Sequence, residues 1–331
     1  MSAAGAPCPL CAAPSAVFGS ALALGRHPAQ YRRCGACGYL FVERPYWLAE
    51  AYADSAIAAL DSGIAHRNLW LADAVSGLLA LCYPQTGRCL DHGGGSGLFV
   101  RLLRDRGYDF RWRDRYCDNL FARGFEATEG DHYDVVTCFE VVEHLEDPLV
   151  TFRELAALAP VLVFSTELLP QPAPALDAWP YYAPDCGQHI GFFSRAALEG
   201  VARALGRRLA SDGRMLHVIA ADPPPDRLLR LLGRRRWARL AQRLRRRRPL
   251  TFTDAAALEG VARALGRRLA SDGRMLHVIA ADPPPDRLLR LLAKRRWARL
   301  AQRLRRRRPL TFTDAAALAQ ALAAARRSDN A

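Results

Sequence analysis

The chain predicts an α/β protein: a doubly wound, mostly parallel sheet with an antiparallel end hairpin, preceded by a small cysteine-paired module. Three observations predict it. From Arg88 onward, short apolar strand-like runs alternate with amphipathic helix-like runs. The stretch "RLASDGRMLHVIAA", with Asp212-Gly213 at its centre, reads as a hairpin that closes the series. Two Cys-x-x-Cys pairs, Cys8/Cys11 and Cys34/Cys37, stand ahead of it.

Each element has a local reason. Residues 1–45 hold the cysteine pairs and short β-like stretches such as Tyr39–Val42. Residues 46–82 are helical in pattern and read as a linker or lid, with Trp47, Leu48, Ala51 and Tyr52 followed by Leu69 to Leu81. "RCLDH" is a buried strand, the glycines after it a turn, and "LFVRLLRDRG" an amphipathic helix that stops at Gly107. "FRWRD" and "YDVVTCFE" are further strands. "PLVTFRELAALA" is a helix with Pro148 near its start, and "PVLVFSTE" is the next strand. "SRAALEGVARALG" is a helix with Ser194 as N-cap and Gly206 as its stop. The predicted α/β domain is 83–221, and 222–255 is a basic helical tail.

The formal charge of +14 is unevenly spread. Residues 1–195 carry a net −7, whereas 196–255 and 256–315 carry +10 each. These two basic blocks are the same block. A shift of 60 residues matches Ala196 through Leu258, broken only at Gly233/Ala293 and Arg234/Lys294. Solenoid repeats diverge and number three or more, so a near-identical pair reads as a tandem duplication, with 256–317 repeating 196–257 and 318–331 a tail. Lys294 is the only lysine, so the arginine preference is a weak sign of a polyanion partner. No apolar run is long enough to span a membrane. "MSAAGAPCPLC" lacks a basic region followed by an apolar stretch, so a cytoplasmic location is expected by default.

"LDHGGGSGLF" carries the first chemical signal. Gly93, Gly95 and Gly97 follow Asp91 at a strand end. A dinucleotide fingerprint would want glycine where Leu98 stands, and a phosphate loop would want a lysine that is absent. Asp91 would repel a pyrophosphate and suits a ligand with a cationic end. Asp114 lies 23 residues later, the usual distance for an acid that binds ribose hydroxyls. S-adenosylmethionine has a ribose and an ammonium and no phosphate.

"LDHGGGSG", "RWRD", "YDVVTCFEVVEHLEDP" and "VFSTELLP", in this order from about Arg88 to Ala220, resemble a class I S-adenosylmethionine-dependent methyltransferase of the subgroup that carries "EVxEHxxDP". The resemblance implies a Rossmann-like methyltransferase sheet. It implies that Asp91 and the glycines hold the methionine part, that Asp114 holds the ribose, and that Phe139 and Glu140 line the same site. Two departures stand out. His92 replaces an aliphatic residue, and the short segment between Asp114 and Asp134 leaves only Glu126 and Glu129 as candidates for the adenine side. A glycine loop that merely turns the chain is the bland alternative; three motifs agreeing in order and spacing argue against it.

"EVVEH" places Glu140, Glu143 and His144 at i, i+3 and i+4, on one face of a helical turn. Two carboxylates and an imidazole make a divalent-metal site one reading and helix-start packing the other. The motif resembles ubiquinone-biosynthesis O-methyltransferases and small-RNA 2′-O-methyltransferases, whose equivalent residues ligate magnesium. In the RNA enzymes a later histidine completes the site, and His189 of "QHIGFFSR" holds that place here. The same stretch resembles the "EHxxYFS" of sugar C-methyltransferases, with Gln188 in place of the acid. His189, His144 and Glu143 are therefore the candidate catalytic residues, and "WPYYAPDCGQH" is either a substrate lid or a packed connector.

Cys8, Cys11, Cys34 and Cys37 fit a closed, structural zinc ribbon. The remaining five cysteines are scattered, which fits a reducing compartment. The leading expectation is methyl transfer to a hydroxylated small molecule, a sugar or glycan among them. A nucleic-acid modifier using the ribbon and "RRRWARLAQRLRRRR", and a non-catalytic protein docking that helix on an anionic membrane or partner, are the alternatives. The acidic catalytic part argues against the nucleic-acid reading.

Overall fold

In the computed structural model, residues 6–53, 63–244, 247–250, 254, 268–271 and 277–280 are described. The chain divides into two compact units, residues 1–54 with 68–250, and residues 55–67 with 251–331.

The first unit opens with β1 (Ser15–Ala23), β2 (His27–Cys34) and β3 (Leu40–Glu43). They pair antiparallel in order, and β3 takes a fourth partner, β8 (Gly191–Phe192), from much later in the chain. The ribbon and the later chain thus share a sheet. Sequence periodicity located only the β3 region; β8, at two residues, is too short to show a pattern. Helix α1 (Leu48–Ala53) follows, with Trp47 donating its indole N–H to the Gly187 carbonyl at 2.8 Å.

Helix α2 (Ile64–Cys82) is buried around its whole circumference from Leu71 to Ala80. That explains a sequence that is apolar on all sides rather than along a stripe. The helix lies between the main sheet and two later helices, α6 (Asp226–Leu232) and α7 (Arg235–Leu244). At Gly77 an added Cβ would meet the Ala238 backbone at 3.1 Å, so the crossing needs glycine. Asp73 is buried in this sandwich, and Arg106, Arg235 and Arg239 all pair with it. Burial alone would raise its carboxyl; the bonds from Arg106 and Arg235 outweigh that and hold it below the usual range. Three arginines of the basic tail are thus engaged within the unit: Arg235 and Arg239 with Asp73, and Arg247 with the Pro84 and Thr86 carbonyls.

The main sheet comprises β4 (Arg88–His92), β5 (Asp109–Arg113), β6 (Val135–Phe139), β7 (Val161–Ser165), β9 (Arg208–Ser211) and β10 (Leu216–Ala220), in the order β5-β4-β6-β7-β10-β9. The first four run parallel, and β10 and β9 are antiparallel. Helices α3 (Leu98–Arg104), α4 (Pro148–Leu158) and α5 (Arg195–Ala204) connect the strands. Asp147 caps α4 and Ser194 caps α5, each through its side chain, contacts of about 1 kcal/mol. Cores cover both faces of the sheet: Leu78, Phe110 and Val218 on one, Phe152, Phe164 and Leu198 on the other. The doubly wound sheet with its end hairpin is the expected one. Because β4 pairs with both β5 and β6, the winding reverses there, and the crevice at the carboxyl ends of these strands is where such sheets bind ligands.

The second unit contains the described strands β11 (Arg268–Ser271) and β12 (His277–Ala280), which form a two-stranded sheet of their own. The first repeat copy is therefore the one in the main sheet. The expected extent of helix over 54–62 and the remainder of 256–331 lie outside the described residues. Among the described residues no helix is long and apolar enough to cross a membrane.

Candidate active site

The glycine loop is held by acids on both sides. Asp91, only 2% exposed, accepts a 2.6 Å bond from the Thr137 hydroxyl of the neighbouring strand. Burial, with the charge of Asp114 adding to it, pushes its carboxyl up to about 7. Asp114 receives the Gly95 N–H at 2.8 Å on one oxygen and the Tyr116 and Cys117 N–H groups on the other. The Trp112 indole donates to the Gly95 carbonyl at 2.8 Å. Gly93, Gly95 and Gly97 all have positive φ. An added Cβ at Gly97 would meet Asn119 Oδ1 at 2.6 Å and one at Gly93 would strike Val141, whereas Gly95 faces open space. The loop is thus tight beneath and open above, and it presents acids to whatever sits on it. This suits a cationic, ribose-bearing ligand and disfavours a phosphate, so the residues fit S-adenosylmethionine.

Phe139 ends β6 and packs against Phe99, ring centroids 5.0 Å apart. Of the two adenine-side candidates, Glu126 bridges to Trp112 in parallel fashion, and its carboxylate accepts from Asn119, the residue under Gly97. Glu129 is exposed in a turn. Among the described residues between Asp114 and Asp134, pairing with β5 is limited to this single bridge. The His92 ring is half-buried, with Nδ1 buried and without a hydrogen-bond partner.

The second constellation differs from the expectation in one member. Glu143, His144 and His189 come together, their nearest ligand atoms all within 4.8 Å of one another. Glu140 is not in this group. Only Val142–His144 form a turn of helix, and Glu140 precedes it with φ +53, so helical i, i+3, i+4 spacing does not apply. Its N–H donates to the Ser165 hydroxyl at 3.0 Å, and that hydroxyl donates back to the Glu140 carboxylate at 2.5 Å. A side chain in the left-handed region costs about 1–2 kcal/mol, a strain typical of functional sites.

Each imidazole of the cluster is oriented by a backbone carbonyl. His144 Nδ1 lies 3.0 Å from the Gln188 oxygen and His189 Nδ1 lies 2.7 Å from the Tyr181 oxygen. A carbonyl only accepts, so each Nδ1 carries a proton. Burial, with the nearby His189 adding to it, pushes His144 down to about 3, so it is neutral at ordinary pH. Glu143 is fully buried; one oxygen accepts from the Tyr181 hydroxyl at 2.7 Å, and the other has no hydrogen-bond partner. Burial raises its carboxyl above the usual range. Two imidazoles and one carboxylate therefore converge, each held by a hydrogen bond from outside the cluster. That is the outer-shell pattern of histidine metal ligands, and the residues fit a divalent ion.

Tyr181 was missed by sequence reasoning. The signal was its place in "WPYYAPDCGQH", but only the fold brings it to Glu143. The segment is a packed connector: Tyr182 is wholly buried against Trp179 and Phe192. Gln188 donates to the Ala51 carbonyl, a packing link rather than an acid's role.

Sulfur–sulfur separations among the four ribbon cysteines include 3.7 Å for Cys8–Cys37, 3.5 Å for Cys11–Cys34 and 3.7 Å for Cys11–Cys37. Four thiolates about 2.3 Å from one tetrahedral zinc stand roughly 3.75 Å apart, so the residues fit the ion. The bond from Cys37 lowers the Cys8 thiol to about 5 and raises that of Cys37. The cluster already favours negative charge on one sulfur.

A family model described as a methyltransferase domain matches residues 64–212. A search of curated proteins finds no match. Solved structures with partial similarity include that of TnmH, with 21% identity over 54% of this chain and 62% of that one, TM-score 0.39. An O-methyltransferase family protein from Burkholderia thailandensis has 16% identity over 54% and 63%, TM-score 0.40. The magnesium protoporphyrin IX methyltransferase of Synechocystis PCC 6803 with bound SAH has 18% identity over 54% and 97%, TM-score 0.35. The chain spans under two thirds of the length of the first two. The doubly wound sheet and its reversal point lie largely within the segment that the methyltransferase-domain model matches.

Proposed function

We propose that this enzyme methylates a hydroxyl group of a small molecule, a sugar or glycan being the class its motifs suggest. The observation that carries the reading is the convergence of Glu143, His144 and His189, each with a ligand atom within 4.8 Å of the others. Asp91 and the glycine loop hold the methionine end of S-adenosylmethionine, Asp114 the ribose, Phe139 the adenosine side and Glu126 the adenine edge. The bound cofactor supplies a methyl group on a sulfonium. With no ion in the cluster, His189 accepts the acceptor's hydroxyl proton as the oxygen–carbon bond forms and the sulfur–carbon bond breaks, which leaves a neutral thioether. Glu143 and His144 orient the same hydroxyl, directly or with a divalent ion, magnesium being the ion in the resembled enzymes. Glu140 supports the site through Ser165. Structural zinc on Cys8, Cys11, Cys34 and Cys37 anchors the ribbon, whose Cys37 carbonyl accepts from Ser194.

The nucleic-acid and membrane readings draw less support. Arg235 and Arg239 already neutralise Asp73, which removes part of the basic face they would use. The test is transfer of radiolabelled methyl from S-adenosylmethionine to a panel of glycosides, phenols and RNA. Label on small hydroxylated acceptors, lost in His189→Ala, is expected. Label on RNA alone would overturn the reading.

A further inference from the structure

The repeated block raises a question independent of the chemistry: what a second copy can do when the first already closes the sheet. We infer that residues 256–315 are a competent substitute for residues 196–255, able to fill the same place in the main sheet of their own chain when the first copy is damaged.

Three observations carry this. The two hairpins pair in the same register: His217 opposite Ser211 and Ala220 opposite Arg208 in one, His277 opposite Ser271 and Ala280 opposite Arg268 in the other. The second copy therefore forms the hairpin the sheet requires. The two differing positions are both tolerated in the first copy's place. Gly233 has an ordinary helical φ of −60, and an added Cβ there meets nothing closer than 3.6 Å, so Ala293 fits. Arg234 is exposed, so Lys294 fits. From residue 196 on, the contacts that hold the first copy in place can recur: Trp70 bonds to a backbone oxygen at 233, and the Asp73 partners at 235 and 239 reappear as Arg295 and Arg299.

The entry to the block matches in part: Arg195, which pairs with Glu199 and Asp226, has Ala255 in its place. Asp254 stands sixty residues after Ser194, one N-cap former in place of another. The first copy holds the place in the intact chain for two reasons. Ser194 also donates to the Cys37 carbonyl at 2.6 Å, which a carboxylate cannot do. Seating the second copy leaves sixty residues as a loop, whose entropy cost grows only with the logarithm of its length. The preference is thus finite, and a buried defect in the first copy reverses it.

Val218→Asp supplies that defect, since Val218 is fully buried and pairs with Val163 of β7. The substitution also gives the peptides Met215–Arg227 and Met275–Arg287, otherwise identical, different masses. In the full-length Val218→Asp chain, hydrogen exchange should be about tenfold or more slower in Met275–Arg287 than in Met215–Arg227, with the protein monomeric and cooperatively folded. Val278→Asp alone should leave the fold unchanged. Val218→Asp/Val278→Asp, and Val218→Asp in a chain lacking residues 256–315, should both lose cooperative unfolding. Loss of the fold in the single Val218→Asp chain to the same degree as in the double variant would overturn the inference. So would protection that stays on Met215–Arg227, or folding recovered only in a dimer, which would move the exchange between chains.

Discussion

The Tyr181 hydroxyl donates to Glu143 across 2.7 Å, while the Tyr181 backbone carbonyl accepts from His189 at the same distance. One residue of the connector thus sets the orientation of two members of the candidate site. Tyr181→Phe removes a hydroxyl that donates to Glu143. A buried acceptor left unpaired costs about 1–3 kcal/mol, and urea unfolding should show a loss of that size. An unchanged midpoint would mean the carboxyl does not depend on this bond.

Divalent ions test the cluster without an acceptor in hand. Magnesium or manganese should raise the thermal midpoint of the wild-type protein, by linkage, and should not raise that of Glu143→Ala. Equal shifts in both would place the ion elsewhere. His189→Ala should abolish methyl transfer with S-adenosylmethionine affinity near wild type; retained turnover would remove His189 from the reaction.

Protein purified without chelator should contain one zinc per chain by elemental analysis. Cys8→Ser should lower zinc content and ribbon stability while leaving cofactor affinity largely intact. A full cofactor-binding protein with no zinc would contradict the ribbon assignment.

Asp91 gives a pH dependence with a defined sign. Its carboxyl rises from an ordinary 3.8 to about 7 in the folded chain. The unfolded chain ionises it first, so this group lowers stability as pH climbs from about 4 to about 7. A cationic ligand needs the ionised form. Affinity for S-adenosylmethionine should therefore increase up to about pH 7 and level off above it. Flat affinity from pH 5 to 8 would show that Asp91 is already charged, or is not in contact.

Much of this was legible along the chain because it is local. The strand–turn–helix around Gly93–Gly97, the Ser194 and Asp147 caps, and the Asp212-Gly213 hairpin are each dictated by a few consecutive residues. What failed depends on distant partners. Glu140 leaves the cluster because Ser165, on another strand, captures it. Tyr181 enters it because the connector folds back over β6. The β8 pairing joins two residues to a ribbon strand some 150 positions earlier, which no local period reveals. The continuous burial of α2 likewise reflects helices α6 and α7 arriving from the repeat.

The central claim is that the acids flanking the glycine loop bind S-adenosylmethionine. Titration calorimetry of the wild-type chain, Asp91→Ala and Asp114→Ala tests it most directly. One site per chain is expected, weakened by roughly 1.5–3 kcal/mol in each variant, or about 10- to 150-fold, with no binding of NAD. Tight NAD binding, or S-adenosylmethionine affinity that neither substitution changes, would contradict it.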